Sequence, residues 1–188
     1  MERLSAGFLI AMPQLGDPNF HRTVVLILQH SPEGAEGLVL NRPTQMTLEE
    51  LARGQSLAVA GARGREPVYL GGPLEPHRGF VLHDRNGVVE KDSVVPGVFL
   101  SKTKDALAEL LGDGLGSVRL FLGYAGWGPH QLEDELAQGS WLFTEATPER
   151  VLRSDAESLW DEVLQEMGVD PAMLQGGPAL QHRDPRAN

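Results

Sequence analysis

The chain has no cysteine. A disulfide framework, a thiolate-ligated zinc or iron–sulfur site and a cysteine nucleophile are therefore excluded. The absence agrees with a reducing compartment, so a cytoplasmic location is expected. Long apolar runs are also missing: nothing approaches the roughly 20 residues that a membrane-crossing helix needs. Leu4 to Met12 is apolar but short, Glu2 dilutes its positive charge, and Pro13 ends it, unlike a secretory signal. Several catalytic signatures are absent as well. The sequence holds no H-E-x-x-H, no G-x-S-x-G nucleophile elbow and no phosphate-loop motif. Positive charge is scarce. Sixteen Lys or Arg face 26 Asp or Glu, for a net charge of −10. The imbalance sits in residues 130–170, where eleven acids meet only Arg150 and Arg153. Such a surface repels a phosphate backbone, so direct nucleic-acid binding is not expected. A solvated helix face explains the acids without a partner.

What is present fits one domain. The length of 188 residues and an apolar fraction of 41% support a single core. The expectation is one α+β domain over residues 1–175, with a polar, Pro/Gly-rich and unstructured tail at 176–188. Gly7 to Met12, Thr23 to His30, Gly37 to Asn41, Val68 to Leu70 and Gly79 to His83 read as strands between turn residues. Asn86-Gly87 predicts a hairpin returning at Val88 to Glu90, with another strand at Gly97 to Leu100. Val118 to Tyr124, the most apolar run, is placed centrally in the sheet, and Trp141 to Phe143 is the last strand. Thr47-Leu-Glu-Glu50 is a capping box opening a helix that ends near Gly54. Thr103 caps a helix over 104–111, Pro129 to Gln138 is another, and Thr147-Pro148 starts a third. Ser154-Asp-Ala-Glu157 reads as a second capping box, opening an amphipathic helix with Leu159, Trp160, Val163, Leu164 and Met167 inward. Strands early and helices late argue for α+β, not for alternating βαβ units.

Four segments dense in special residues are candidate loops: Asp17 to Arg22, Asn41 to Pro43, Gly71 to Gly79 and Gly123 to Gln131. The last could cradle an anion on backbone amides. Its glycine spacing is wrong for a dinucleotide fingerprint, and Glu133, Asp134 and Glu135 already answer the helix dipole. Its glycines are instead read as allowing a tight turn with positive φ and close packing around Trp127. Asp17 with His21, or His77 with His83, could approach a metal, but the spacings are common by chance and no metal or other cofactor is expected. His83, at the end of an apolar strand, reads as a hydrogen-bonded structural residue. Arg42 or Arg78 could clamp an anion, or pair with a nearby acid. Glu75 beside His77 and Arg78 could serve acid–base work, or simply be solvated.

Taken in order, these segments carry a resemblance. Leu9-Ile-Ala-Met-Pro-Gln-Leu-Gly-Asp-Pro-Asn-Phe20, Gly37-Leu-Val-Leu-Asn-Arg-Pro43, Gly71-Gly-Pro73, Arg78-Gly-Phe-Val-Leu-His83, Leu122-Gly-Tyr-Ala-Gly-Trp-Gly128 and Gln131-Leu-Glu133 resemble the YqgE/AlgH family over residues 4 to 165. His130 departs from it, since the family more usually has glycine there. The resemblance implies a bacterial cytosolic protein with a largely antiparallel, bulged sheet flanked by helices in one compact domain. It carries over no catalytic residues, and the family's name reflects a proposed role in regulating alginate synthesis. The motif residues shape a surface and include no evident nucleophile, so a non-enzymatic regulatory or interaction protein is the leading expectation. Asn41, Arg42, Gly71, Gly72, Arg78, His83, Gly126, Trp127 and Gln131 are the candidate binding residues, for an unknown protein or small-molecule partner. An enzyme acting on a small anionic metabolite, with Arg42, Arg78, His83 and Gln131 lining its pocket, and a DNA-binding regulator are the alternatives. Asn41, Arg78, His83 and Gln131 around one concavity would favour the enzyme; scattered and bonded to backbone, they would be architecture.

Overall fold

A computed structural model describes residues 7–175. Residues 1–6 and the expected tail at 176–188 lie outside the described residues. The strands are β1 Gly7–Ala11, β2 Val24–Ser31, β3 Gly34–Val39, β4 Pro43–Thr47, β5 Pro67–Leu70, β6 Leu74–His83, β7 Asp92–Val95, β8 Val98–Ser101, β9 Val118–Trp127 and β10 Trp141–Glu145. The helices are α1 Leu48–Gly54, α2 Lys104–Gly112, α3 Gln131–Ala137, α4 Pro148–Arg153, α5 Leu159–Glu166 and α6 Pro171–Gln175. The sheet runs β10-β1-β2-β3-β9-β6-β8-β7, with β4 and β5 off this path. Its pairs are antiparallel except β5 with β9. This is the α+β class expected from the sequence.

β1 is apolar without alternation because it is buried on both faces. Phe8 and Ile10 enter a core shared with Trp160 and Val163 of α5, while Leu9 and Ala11 enter another with Trp127 and Trp141. A third core lies under α1 and α2 and holds Leu48, Val81, Leu110 and Leu120. β9 belongs to all three, in agreement with its expected central place.

β9 is also where the sheet changes partners. Its Phe121 and Leu122 pair with β5, its Ala125 to Trp127 pair with β3, and β6 covers the other edge. The strand bends between these stretches at Gly123, whose φ is +73°. A Cβ there would stand 2.5 Å from the Gly72 carbonyl oxygen. At Gly72, with φ +155°, a Cβ would meet the Tyr124 backbone at 2.1 Å. Only glycine fits at both positions. Gly71 ties the bend to β3: its amide donates to the Leu122 carbonyl and its carbonyl accepts from the Val39 amide, each at 2.8 Å.

The helix caps follow their sequence signals. Thr47 accepts from the Glu50 amide while a Glu50 carboxylate oxygen accepts from the Thr47 amide. Thr103 and Thr147 accept from Ala106 and Arg150. Other expectations are corrected. Gly71 to Gly79 is not all loop: β6 starts at Leu74 and carries a bulge, its register jumping from Leu74↔Tyr124 to Gly79↔Leu122. Gly123 to Trp127 is likewise strand. β3 begins at Gly34 and ends at Val39, because Asn41 has left the ladder to bond the neighbouring loop. Asn86-Gly87 turns without a returning strand at 88–90. Val88 is buried in the third core instead, and β6 pairs with β8, which a turn at Pro96-Gly97 joins to β7. Ser154 opens no helix: its hydroxyl donates back to the Arg150 carbonyl at the end of α4, and α5 begins only at Leu159. The expected inward face of α5 is otherwise present, with Leu159, Trp160, Val163 and Leu164 buried.

Candidate functional site

The motif residues are distributed among five places. Asn41 clamps the first loop: its side-chain amide donates to the Arg22 carbonyl and its oxygen accepts from the Val24 amide, both at 2.9 Å. Arg42 donates to the His21 carbonyl at 2.6 Å. These two residues fix the 17–22 loop against the end of β3. Gly71 and Gly72 form the crossing at the β9 bend described above.

His83 is fully buried at the far end of β6. Its Nδ1 accepts from the Arg85 amide at 3.2 Å, so Nε2 carries the proton and donates to Ser101 Oγ at 3.0 Å. Ser101 passes the chain on by donating to the Glu90 carbonyl at 2.7 Å. Burial pushes the imidazole below its ordinary pKa and holds it neutral. Arg78 lies on the β6 bulge, exposed, bonded to Glu75 at 2.9 Å and resting over the Phe80 and Tyr124 rings. Asn41, Arg78, His83 and Gln131 line none of the main cavities of the described residues.

Trp127 and Gln131 do come together, around a residue whose role was missed. Both Trp127 Nε1 and Trp141 Nε1 donate to the same Glu135 carboxylate oxygen, at 3.0 and 2.7 Å. Gln131 Nε2 donates to the other oxygen at 2.9 Å, and Gln131 Oε1 accepts from the Gly128 amide at 3.0 Å. Phe20 stacks on Trp127 and meets Trp141 edge-on, with centroids 6.2 and 5.4 Å apart. One carboxylate therefore ties together β9, β10 and α3, and a phenylalanine from the first loop covers the indoles. Glu135 was read only as an acid near a helix start. The i, i+4 spacing from Gln131 and the two nearby tryptophans were the available signal. Glu133 beside it turns the other way, and its carboxylate meets His30 Nε2 at 2.9 Å. His130, where the resemblance expects glycine, takes the left-handed backbone that a glycine would, with φ +63°.

Next to this knot lies a cleft of about 410 Å³. Gln29, Ser31, Glu33, Ala35 and Glu36 of the β2–β3 hairpin form one wall. Leu74, Tyr124, Gly126, Trp127 and Gly128 form the other. Leu74 is 43% exposed at its edge. Gly126 keeps the cleft narrow: a Cβ there would come within 2.7 Å of Leu74 Cδ1. Among the described residues no three His, Asp or Glu gather as metal ligands, and no helix is long and apolar enough to cross a membrane.

The family model described as AlgH-like matches residues 8–172. The chain belongs to the AlgH-like family. It is 60% identical over 180 residues to a UPF0301 protein of Myxococcus xanthus, covering 96% of this chain and 99% of that one. It is 41% identical to a UPF0301 protein of Ralstonia nicotianae, covering 92% and 93%. The solution structure of the AlgH protein from Pseudomonas aeruginosa superposes with a TM-score of 0.72 at 34% identity, covering 94% of this chain and 98% of that one. A Corynebacterium diphtheriae protein, 24% identical with a TM-score of 0.71 over 88% and 90%, shares the fold.

Proposed function

We propose that this AlgH-like protein works by binding rather than by catalysis, as a regulatory or interaction protein. The observation that carries this reading is where the motif residues spend their hydrogen bonds. Asn41 and Arg42 bond backbone, His83 is buried, neutral and bonded at both ring nitrogens, and Gln131 and Trp127 are bound to Glu135. What they leave at the surface is the shaped cleft beside Trp127. Its acidic Glu33 and Glu36 and its apolar Leu74 and Tyr124 suit a partner segment presenting a basic side chain beside an apolar one. An effect on transcription would then be indirect, since the acidic C-terminal third opposes contact with nucleic acid.

The test is affinity capture from native lysate with the wild type and with Leu74→Glu, which alters an exposed position. A protein retained by the first and lost by the second is the expected outcome. Consumption of a metabolite by the purified protein, lost on Arg78→Ala or Gln131→Ala, would overturn the reading.

A further inference from the structure

A second concavity, away from the cleft, arises from a side chain that the sheet lacks. On the face turned toward α1 and α2, β6 presents Gly79 and Val81, and β9 presents their partners Leu122 and Leu120. Val81 and Leu120 are buried there. At Gly79 the alternation calls for another apolar side chain, and there is none. A Cβ built at this position meets nothing within 4 Å. The result is a pocket of about 200 Å³, closed on the helix side by Leu51 of α1, by Gln55 just after that helix and by Leu107 of α2.

The rim of this pocket is basic in a chain of net charge −10. His77, Lys102 and Lys104 all line it, together with Thr103 at the start of α2. Lys102 approaches the Asp92 carboxylate only loosely, at 3.7 Å. Among the described residues Lys104 and His77 form no salt bridge. α2 starts at the same rim, where Asp105 in its first turn already answers the helix dipole, so the positive charge there comes from the side chains. An apolar floor with cations at its mouth selects for an anion carrying a short apolar tail. Drug-sized ligands take roughly 300–1,000 Å³, so the occupant is smaller. We infer that the Gly79 pocket binds a small aliphatic carboxylate, its chain against Val81, Leu107, Leu120 and Leu122 and its carboxylate between Lys102 and Lys104.

Hexanoate is the probe, titrated into the full-length protein while backbone amide resonances are followed by NMR. The expected result is a saturable shift of the amides lining the pocket, at 51–55, 79–81, 103–107 and 120–122. Hexanol and acetate, each carrying half of the ligand's chemistry, should bind at least roughly tenfold more weakly. The double variant Lys102→Gln/Lys104→Gln alters two exposed side chains and should weaken hexanoate by a similar factor. Gly79→Leu should fill the floor and abolish the shifts, and thermal melting checks that it folds. Should it not fold, the lysine variant still decides. The inference fails if hexanoate gives no saturable shift at these amides, if hexanol binds as tightly as hexanoate, or if the lysine variant binds unchanged. It rests on a different face from the Trp127 cleft, so neither outcome bears on the partner proposed there.

Discussion

The β9 bend and the α1–α2 face use the same residue type for opposite ends. At the bend, Gly72 and Gly123 let two backbones approach more closely than any Cβ would allow. On the α1–α2 face, Gly79 leaves a space that its neighbours do not close. The polar groups divide in the same way. Near the bend the indoles, Glu135 and Gln131 satisfy one another, whereas at the Gly79 pocket the cations face solvent. A missing side chain thus means packing in one place and vacancy in the other, and only the opposing surface tells them apart. The sharpest way to break the comparison is Gly123→Ala. The new Cβ would meet two carbonyl oxygens, those of Gly72 and Leu74, from a left-handed backbone. Left-handed strain costs about 1–2 kcal/mol and an unrelieved clash about 1–3 more. Loss of at least about 3 kcal/mol in urea unfolding is expected, or failure to fold.

Glu135→Ala comes next. It strands two indole N–H donors beneath Phe20 and should cost about 2 kcal/mol, read by the same unfolding curves followed through tryptophan fluorescence. Glu135→Gln keeps one acceptor oxygen and should cost less. Equal losses for the two variants would show that a single neutral acceptor oxygen does not hold the knot.

The His83 chain offers a pH test with a definite sign. Burial lowers the folded-state pKa below the ordinary histidine value. Below that ordinary value, about 6.5, the unfolded chain takes up a proton that the native imidazole resists. The contribution is therefore complete above about pH 6.5 and is lost as the pH falls toward the lowered native value. Stability measured between about pH 7 and 5 should drop more steeply for the wild type than for His83→Gln. Parallel slopes would mean that the imidazole is protonated in place. A smaller gain is expected from His130→Gly, which relieves the left-handed φ of +63° at an exposed position. About 1 kcal/mol of added stability should follow, and a loss would show that the His130 side chain contributes something beyond its backbone.

How much of this was legible in the sequence depended on whether the signal was local. The capping threonines at 47, 103 and 147 were readable because each cap and the backbone amide that donates to it lie within one turn. β1 and the centrality of β9 were readable from unbroken apolar runs. Ser154 failed because its hydroxyl had a competing acceptor one turn back, the Arg150 carbonyl. Asn86-Gly87 failed because a turn signal does not name the strand that follows, and β8 had taken the edge of β6. Among the candidate site residues, the motif order marked where the chain is constrained. It did not mark how Asn41, Arg78, His83 and Gln131 lie relative to one another, which depends on pairings distant in sequence. Glu135 stayed hidden among three consecutive acids, since only the register of α3 decides which of them turns toward the indoles.

The smallest expected effect is the one on which the contrast between the two faces turns. Gly79 lies within β6, its φ is not among the positive values, and the space where its side chain would project is empty. Alanine should fit there without displacing a neighbour and should stabilise the protein by about 0.5 kcal/mol, because it narrows the unfolded ensemble. The measurement is the same urea midpoint used for Gly123→Ala, on a position five residues into the strand that β9 crosses. A loss at Gly79 comparable to that at Gly123 would mean that the sheet closes on the helices in solution, and a pocket with no room for a methyl group would have none for a ligand.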